Sequence, residues 1–267
     1  MNIEYISHYD YFPNHHPKTG EPYITCYNDN FVTHETKPNS IAMLIEPRSI
    51  QPNIYRYMEE EGYKKFRYIF THDSVLLGLF GNARWVTNMG VWDWSDEPKT
   101  KFCSMISSDK VMCDLHKQRK ELAFRLENKI DCFGTYNGGE RVETCPAHAP
   151  YMYAVVIENY IDDFWYTEKI LNCFANKTIP IYYGARKIGL DFNRYGIIQV
   201  NSIDEIEKFI DACLKTGYGE YYYNRPYVQE AIVDNYERVK EYSNFESWFM
   251  KKYEGLLNDL YSETQRI

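Results

Sequence analysis

Apolar residues fall into two textures along the chain. Up to about residue 97 they come in short runs, at 23–27, 41–45, 66–71 and 84–87, each bounded by turn residues, and these read as strands. A single 3.6-residue pattern between 53 and 62 predicts a helix, and Pro13, Pro17, Pro22, Pro38, Pro47 and Pro52 break up the rest. From residue 101 onward strand and helix patterns alternate. Strands are expected at 102–106, 130–133, 152–157, 178–183 and 196–200, and helices at 114–128, 167–176 and 203–214, with a glycine loop at 136–140. Ser202 with Glu205 forms a capping box for the last of these helices, which then buries Ile206, Phe209, Ile210 and Cys213. Two further helical stripes follow. Val228, Ile232, Tyr236 and Val239 make one, and Trp248, Phe249, Tyr253, Leu256 and Leu260 make the other, opened by a second capping box of Ser243 with Glu246. The polar stretch 92–100, WDWSDEPKT, separates the textures and marks a boundary between a small domain, 1–97, and a larger one, 98–267. Strand and helix in repeated order argue for an α/β fold with parallel sheets.

Composition narrows the class of protein. With 267 residues and 44% hydrophobic content, the chain can bury one large core or two smaller ones. No apolar run reaches the roughly 20 residues that cross a bilayer, and the opening residues lack a basic stretch followed by an apolar one. The expectation is therefore a cytoplasmic protein without an integral membrane segment. The 7 cysteines are scattered and lack paired metal-ligand spacing, so they read as reduced core residues and no metal site is expected. A net charge of −8 gives no general basic field for nucleic acid. An anionic ligand would need a local cluster, drawn from His116, Lys117, Arg119, Lys120 and Arg125, or from Lys169, Lys177, Arg186 and Lys187. Most of the 26 tyrosines read as core.

The candidate chemistry lies in the second texture. A strand ends in Ile157-Glu158-Asn159, a loop follows, a helix opens on Thr167-Glu168-Lys169, and an apolar strand runs from Thr178 to Gly184. Thr167 is a capping residue, and the helix N-terminus beyond it offers unpaired N–H groups and partial positive charge to an anion. A carboxylate at Glu168 can accept from a ribose diol, while Lys169 can neutralise a diphosphate. On the plainer reading, Glu168 favours the helix dipole and Lys169 is solvated.

The residues IENYIDDFWYTEKILNCFANKTIPIYYGARKIGLDF, 157–192, resemble the signature of the family 10 glycosyltransferases, the α-1,3/1,4-fucosyltransferases that use GDP-fucose. That signature is a strand ending in Phe-Glu-Asn, a loop with an aromatic residue, Val-Thr-Glu-Lys, a helix, and an apolar strand of the form Thr-(Ile/Val)-Pro-(Ile/Val)-(Tyr/Trp)-(Tyr/Trp)-Gly. A weaker likeness precedes it, in 102–109 (FCSMISSD), Arg119 and the glycine turn after Asp131, with Asp109 where the family has asparagine. The resemblance implies a GT-B fold, two Rossmann-like halves with a cleft between them, the N-terminal half short. It implies donor binding by Arg119, Asn159, Trp165, Thr167, Glu168, Lys169 and Gly184, with Glu158 near the transferred sugar. Tyr166 in place of valine and the acidic pair Asp162-Asp163 depart from the pattern and bear on which base and sugar are held.

Transfer of this kind builds negative charge on the leaving diphosphate, a task for Arg119 and Lys169, and needs a base for the acceptor hydroxyl. Asp73 and Glu46 are the candidates for that base, with a turn-capping role as the alternative for Asp73. The implied partners are GDP-fucose or a related nucleotide sugar and a glycan acceptor. The implied reaction requires no cofactor, with a divalent cation as a stimulant. The competing readings are a non-catalytic nucleotide-sugar or glycan-binding module, and a transferase using another nucleotide sugar.

Overall fold

The computed structural model of the protein describes residues 1–265, which divide into two compact units, Met1–Asn88 with the segment that begins at Asn244, and Met89–Ser243. Strands β1 (Ile3–Ile6), β2 (Ile24–Asn28), β3 (Ile41–Leu44), β4 (Tyr68–Thr71) and β5 (Ala83–Trp85) form the parallel sheet of the first unit, in the order in which they occur. Helices α1 (Pro52–Glu60) and α2 (Ser74–Leu79) belong to its crossovers. Successive right-handed crossovers in one direction put their helices on one face of a sheet. Ala42, Leu44 and Ile69 meet Tyr55 and Met58 of α1 and Leu76 of α2 in one buried cluster.

The second unit contains β6 (Lys101–Ile106), α3 (Asp114–Leu126), β7 (Asp131–Phe133), α4 (Thr144–His148), β8 (Tyr151–Ile157), α5 (Glu168–Ala175), β9 (Ile179–Tyr183), β10 (Ile198–Gln199), α6 (Ile203–Thr216), α7 (Tyr218–Tyr223) and α8 (Pro226–Val239). Its parallel strands lie in the order β10-β9-β8-β6-β7, a doubly wound sheet whose direction of winding reverses between β6 and β8. Met105, Tyr153, Val155, Ile157 and Ile181 pack with Leu122 and Leu126 of α3 and Ile206 and Ile210 of α6. The alternate residues Ala154 and Val156 are buried outside that cluster, as period-two geometry requires, and α4 and α5 lie against the same strand.

The chain then returns to the first unit as α9 (Phe245–Thr264). Phe249 and Tyr253 pack edge-on to Phe70 at 4.7 and 4.8 Å, and Trp248 meets Trp85 at 5.5 Å. Phe70 alternates with Ile69 of the α1 cluster and so points to the opposite face of β4, and α9 covers the face that the crossovers leave bare. The cap of this helix is Asn244, whose Oδ1 accepts from Ser247 N at 2.8 Å, and not Ser243. Glu246 is instead buried and accepts from Asn14 and His15.

Three features differ from the sequence expectation. β1, α2 and α4 are too short to carry a periodic signal and were not expected. The polar stretch 92–100 is packed against the second unit rather than standing as a linker: Trp92 N donates to Asn172 Oδ1, and Lys99 Nζ donates to the carbonyls of Ala149 (2.6 Å) and Asn176 and to Thr178 Oγ1 (2.9 Å). The division accordingly falls after Asn88, and the segment from Asn244 goes with the first unit.

Burial lowers the Lys99 ammonium to about 8, yet its bonds satisfy the carbonyls of Ala149 and Asn176. Lys99→Met takes that donor from the Ala149 carbonyl. It is expected to destabilise the second unit by roughly 1–3 kcal/mol, read as a lower urea midpoint.

Candidate functional site

The sheet of the second unit delivers Glu158 and Asn159 from the carboxyl end of β8. Ile157 stands beside Tyr183 of β9, and Glu158 N donates to Tyr183 O at 2.9 Å, so Gly184 leaves the neighbouring strand end at the same level. The Glu158 carboxylate is 0% exposed. Its Oε1 accepts from Thr167 N at 3.0 Å, its Oε2 from Thr167 Oγ1 at 2.9 Å, and Lys169 Nζ lies 3.3 Å from Oε2. Both oxygens are thus taken up by the chain itself. Burial pushes the Glu158 carboxyl above its usual range, and Lys169 and the Thr167 donors oppose that shift.

This anchoring sets the start of α5. Thr167 is the N-cap and accepts from Lys169 N at 3.4 Å, while Lys169 Nζ reaches back to Thr167 Oγ1 at 3.0 Å. Glu168 and Lys169 remain partly exposed, at 18% and 28% of their side chains, and stand 3.6 Å apart. Burial alone would lower the Lys169 ammonium, but Glu168 and Glu158 outweigh it and hold it above its ordinary value, so it is cationic.

Arg119 approaches from α3. It is 7% exposed, and Nη1 donates to Ile157 O at 2.9 Å and to Asn159 Oδ1 at 3.1 Å. Its Nε is buried without an acceptor. A buried guanidinium N–H with no partner is costly, and burial lowers the Arg119 pKa from its usual value. One anion beside it would supply the missing acceptor. Asn159 follows the end of β8, which borders the β6/β8 switch point where doubly wound sheets hold ligands, and Arg119 bonds to it and lies close enough to Lys169 for their charges to interact.

The structure separates the remaining sequence candidates. Trp165 is 2% exposed and packs edge-on to Tyr160 at 6.4 Å. Gly184 is required sterically, since a Cβ there would fall on the Tyr182 hydroxyl and 2.7 Å from Glu158 Cγ. Tyr166 is buried against Phe192 and Tyr242 and its hydroxyl donates to Asp191, so this departure from the family pattern is a packing change beneath the site. Asp163 pairs with Arg186 and Lys187, each at 2.8 Å, and Asp162 Oδ1 accepts from Phe164 N. Those charges pin the loop. Arg125 pairs with Glu207, Lys177 with Asp96 and Lys117 with Asp114, whereas Arg119 and Lys169 of the cationic clusters stand near the end of β8.

In the first unit, Asp73 is 0% exposed and caps α2, with Oδ1 accepting from Leu76 N at 2.9 Å. Arg48 grips both its oxygens at 2.9 Å and also donates to Glu59 at 2.7 Å. Glu46 is half-buried at the end of β3, where its carbonyl accepts from the Tyr55 hydroxyl at 2.7 Å. Two residues of this cluster were missed in the sequence. Arg48 is one, and the other is Asp29, which stands at the end of β2 in the left-handed region (φ 47°) and accepts from Ile45 N at 2.8 Å and Glu46 N at 3.1 Å. An aspartate directly after an apolar strand is the signal that could have found Asp29. Burial pushes its carboxyl up to about 7, against the lowering effect of the two amides.

No protein-family model matches the sequence, and no curated protein matches it. Likeness is found among solved structures. A crystal structure of α1,3-fucosyltransferase with GDP aligns at a TM-score of 0.51 and 13% identity over 87% of this chain and 82% of that one. A second α1,3-fucosyltransferase structure gives 0.50 and 13% over 84% and 79%. A mutant of S. aureus TarM in complex with fondaparinux, α-GlcNAc-glycerol and UDP gives 0.52 and 12%, and the chain covers 55% of its length. The fold is therefore fucosyltransferase-like, α/β of the GT-B type with two Rossmann-like halves. Among the described residues, no helix is long and apolar enough to cross a membrane.

Asp29 gives a test with a defined sign. Its folded pKa is raised, so its contribution to stability is present at low pH and is lost as pH climbs from the unfolded value near 4 through about 7. Asp29→Asn cannot ionise. Its melting temperature relative to the wild type should therefore move in the variant's favour between about pH 5 and about pH 8.

Proposed function

We propose that this protein is an inverting glycosyltransferase that moves a sugar, fucose from GDP-fucose, onto a glycan hydroxyl. The observation that carries the reading is the buried Arg119 guanidinium, with Nε lacking an acceptor, beside Lys169 at the N-terminus of α5 and at the switch point of the sheet. A diphosphate fits that arrangement because it brings several acceptor oxygens and negative charge to donors that the fold has already desolvated. The likeness of the fold to α1,3-fucosyltransferase supports the choice of donor.

In this reading the diphosphate lies against Lys169 and Arg119, and Glu168 accepts from the ribose hydroxyls. As the bond from the sugar to the diphosphate breaks, charge grows on the leaving oxygens. Two fixed cations already in place stabilise that charge without reorganising. Glu158 is then a positioning residue: it holds Thr167 and Lys169, and its oxygens are engaged within the chain. The acceptor hydroxyl must lose a proton to a base. Asp73 is neutralised by Arg48 and spent as a cap, so Glu46, which keeps access to solvent, is the carboxylate assigned to that step. No cofactor enters this scheme, and a divalent cation would act only by screening the diphosphate.

Calorimetric titration tests the donor. The wild type should bind GDP in preference to UDP, and Arg119→Ala and Lys169→Ala should each weaken GDP binding about ten- to a hundredfold, as expected for losing one charge-assisted hydrogen bond. Slow hydrolysis of GDP-fucose should fall with them. Preferential binding of UDP would redirect the reading to another nucleotide sugar. No nucleotide binding at millimolar concentration would overturn it.

A further inference from the structure

His116 lies three residues before Arg119 on α3, is 3% exposed, and has no role in the scheme above. Its Nδ1 accepts from Met112 N at 3.2 Å. A neutral imidazole that accepts at Nδ1 carries its proton on Nε2. That N–H is the donor available for the hydrogen bond between His116 and the Asn159 side chain. The amide oxygen of Asn159 already accepts from Arg119 Nη1 at 3.1 Å. Two donors on Oδ1 use both its lone pairs and fix which way the amide faces: the oxygen toward α3, the NH2 away from it. Cys113 Sγ, at 3.4 Å from Asn159 O, holds the backbone of the same residue.

We propose that His116 is a positioning residue of this site, which as the neutral Nε2–H tautomer acts with Arg119 to lock the Asn159 amide so that it meets a bound nucleotide diphosphate as a donor only. The inference rests on the donor reading above and adds the polarity of one contact. An amide locked in this way can serve a diphosphate oxygen and cannot serve a ligand group that itself donates. The charged groups around the ring agree with a neutral imidazole. Burial is the main cause that lowers the His116 pKa, and Arg119, Lys169 and Lys110 lower it further. A protonated ring would lose its bond from Met112 N, because Nδ1 would then be a donor as well.

Asn159→Asp separates donor from acceptor. A carboxylate is still gripped by Arg119 and His116 but offers oxygen where the amide offered N–H, so GDP affinity should fall at least about tenfold and below that of Asn159→Ala. Wild-type affinity in Asn159→Asp would overturn the proposal. His116→Phe, which keeps the ring and removes both nitrogens, should match the Asn159→Ala loss, and His116→Gln, which can place an amide donor near the Nε2 position, should recover part of it. Equal affinities in His116→Phe and the wild type would also overturn it. Nitrogen NMR of the ligand-free protein gives a readout independent of nucleotide. A neutral Nε2–H signal for His116 at neutral pH is expected, and an Nδ1–H or doubly protonated ring would sink the idea. If no nucleoside diphosphate binds the wild type, the donor reading and the donor role assigned to Asn159 both fall, whereas the NMR result still decides whether His116 holds Asn159 as described.

Discussion

The carboxylate of Glu158 is the constraint on which the candidate site depends. It is buried at the end of β8 with no solvent to satisfy it, and it survives there because the next structural element comes back to meet it. Thr167 contributes its amide and its hydroxyl, and Lys169 contributes its ammonium. Breaking this set by removing one partner would leave a charge in the core, which is far costlier than the loss of a surface ion pair. The strand end and the helix start are therefore fixed to one another. That in turn settles where Lys169 stands.

Much of this junction was legible in the sequence because its signals are local. A threonine before an apolar stripe caps a helix, and an apolar strand ending in glycine leaves room for a neighbour, so 167–176 and 178–184 could be read directly. What spacing could not convey was the use of each acid. Glu158 looked like a group for a ligand and Asp73 like either a base or a cap, and the fold engages both internally, on α5 and on Arg48 with α2. Asp29 and Arg48 escaped notice because their partners lie in other segments, after β3, in α1 and at the start of α2, and such proximity leaves no periodic trace. Tyr166 is the reverse case: a departure from a family pattern that tertiary packing turns into an ordinary core contact.

Two arrangements of buried acids and bases contrast, one in each unit. In the first, Asp29 is shifted up and His72 is held neutral by burial at about 3, so their proton uptakes on folding oppose each other in mildly acid solution. In the second, the cation Arg119 is retained in a nearly closed environment with a donor left over. The first arrangement spreads its cost over a network of backbone amides. The second concentrates it on one atom, and concentrated cost of that kind is where a ligand has most to offer.

The sequential strand order of the first unit has a consequence for how the chain comes into being. A sheet wound in one direction has a bare face, and here that face is closed by α9, which begins about 160 residues after the end of β5, with the second unit's chain in between. During synthesis the segments 1–88 emerge first but lack their cover, whereas the second unit is contiguous and has all its strands and helices by residue 243. The order of completion is thus the reverse of the order of emergence. The later unit can close on itself while the earlier one still exposes Phe70 and its neighbours, which makes the interval before α9 arrives the time at which this protein is most open to aggregation or to a chaperone.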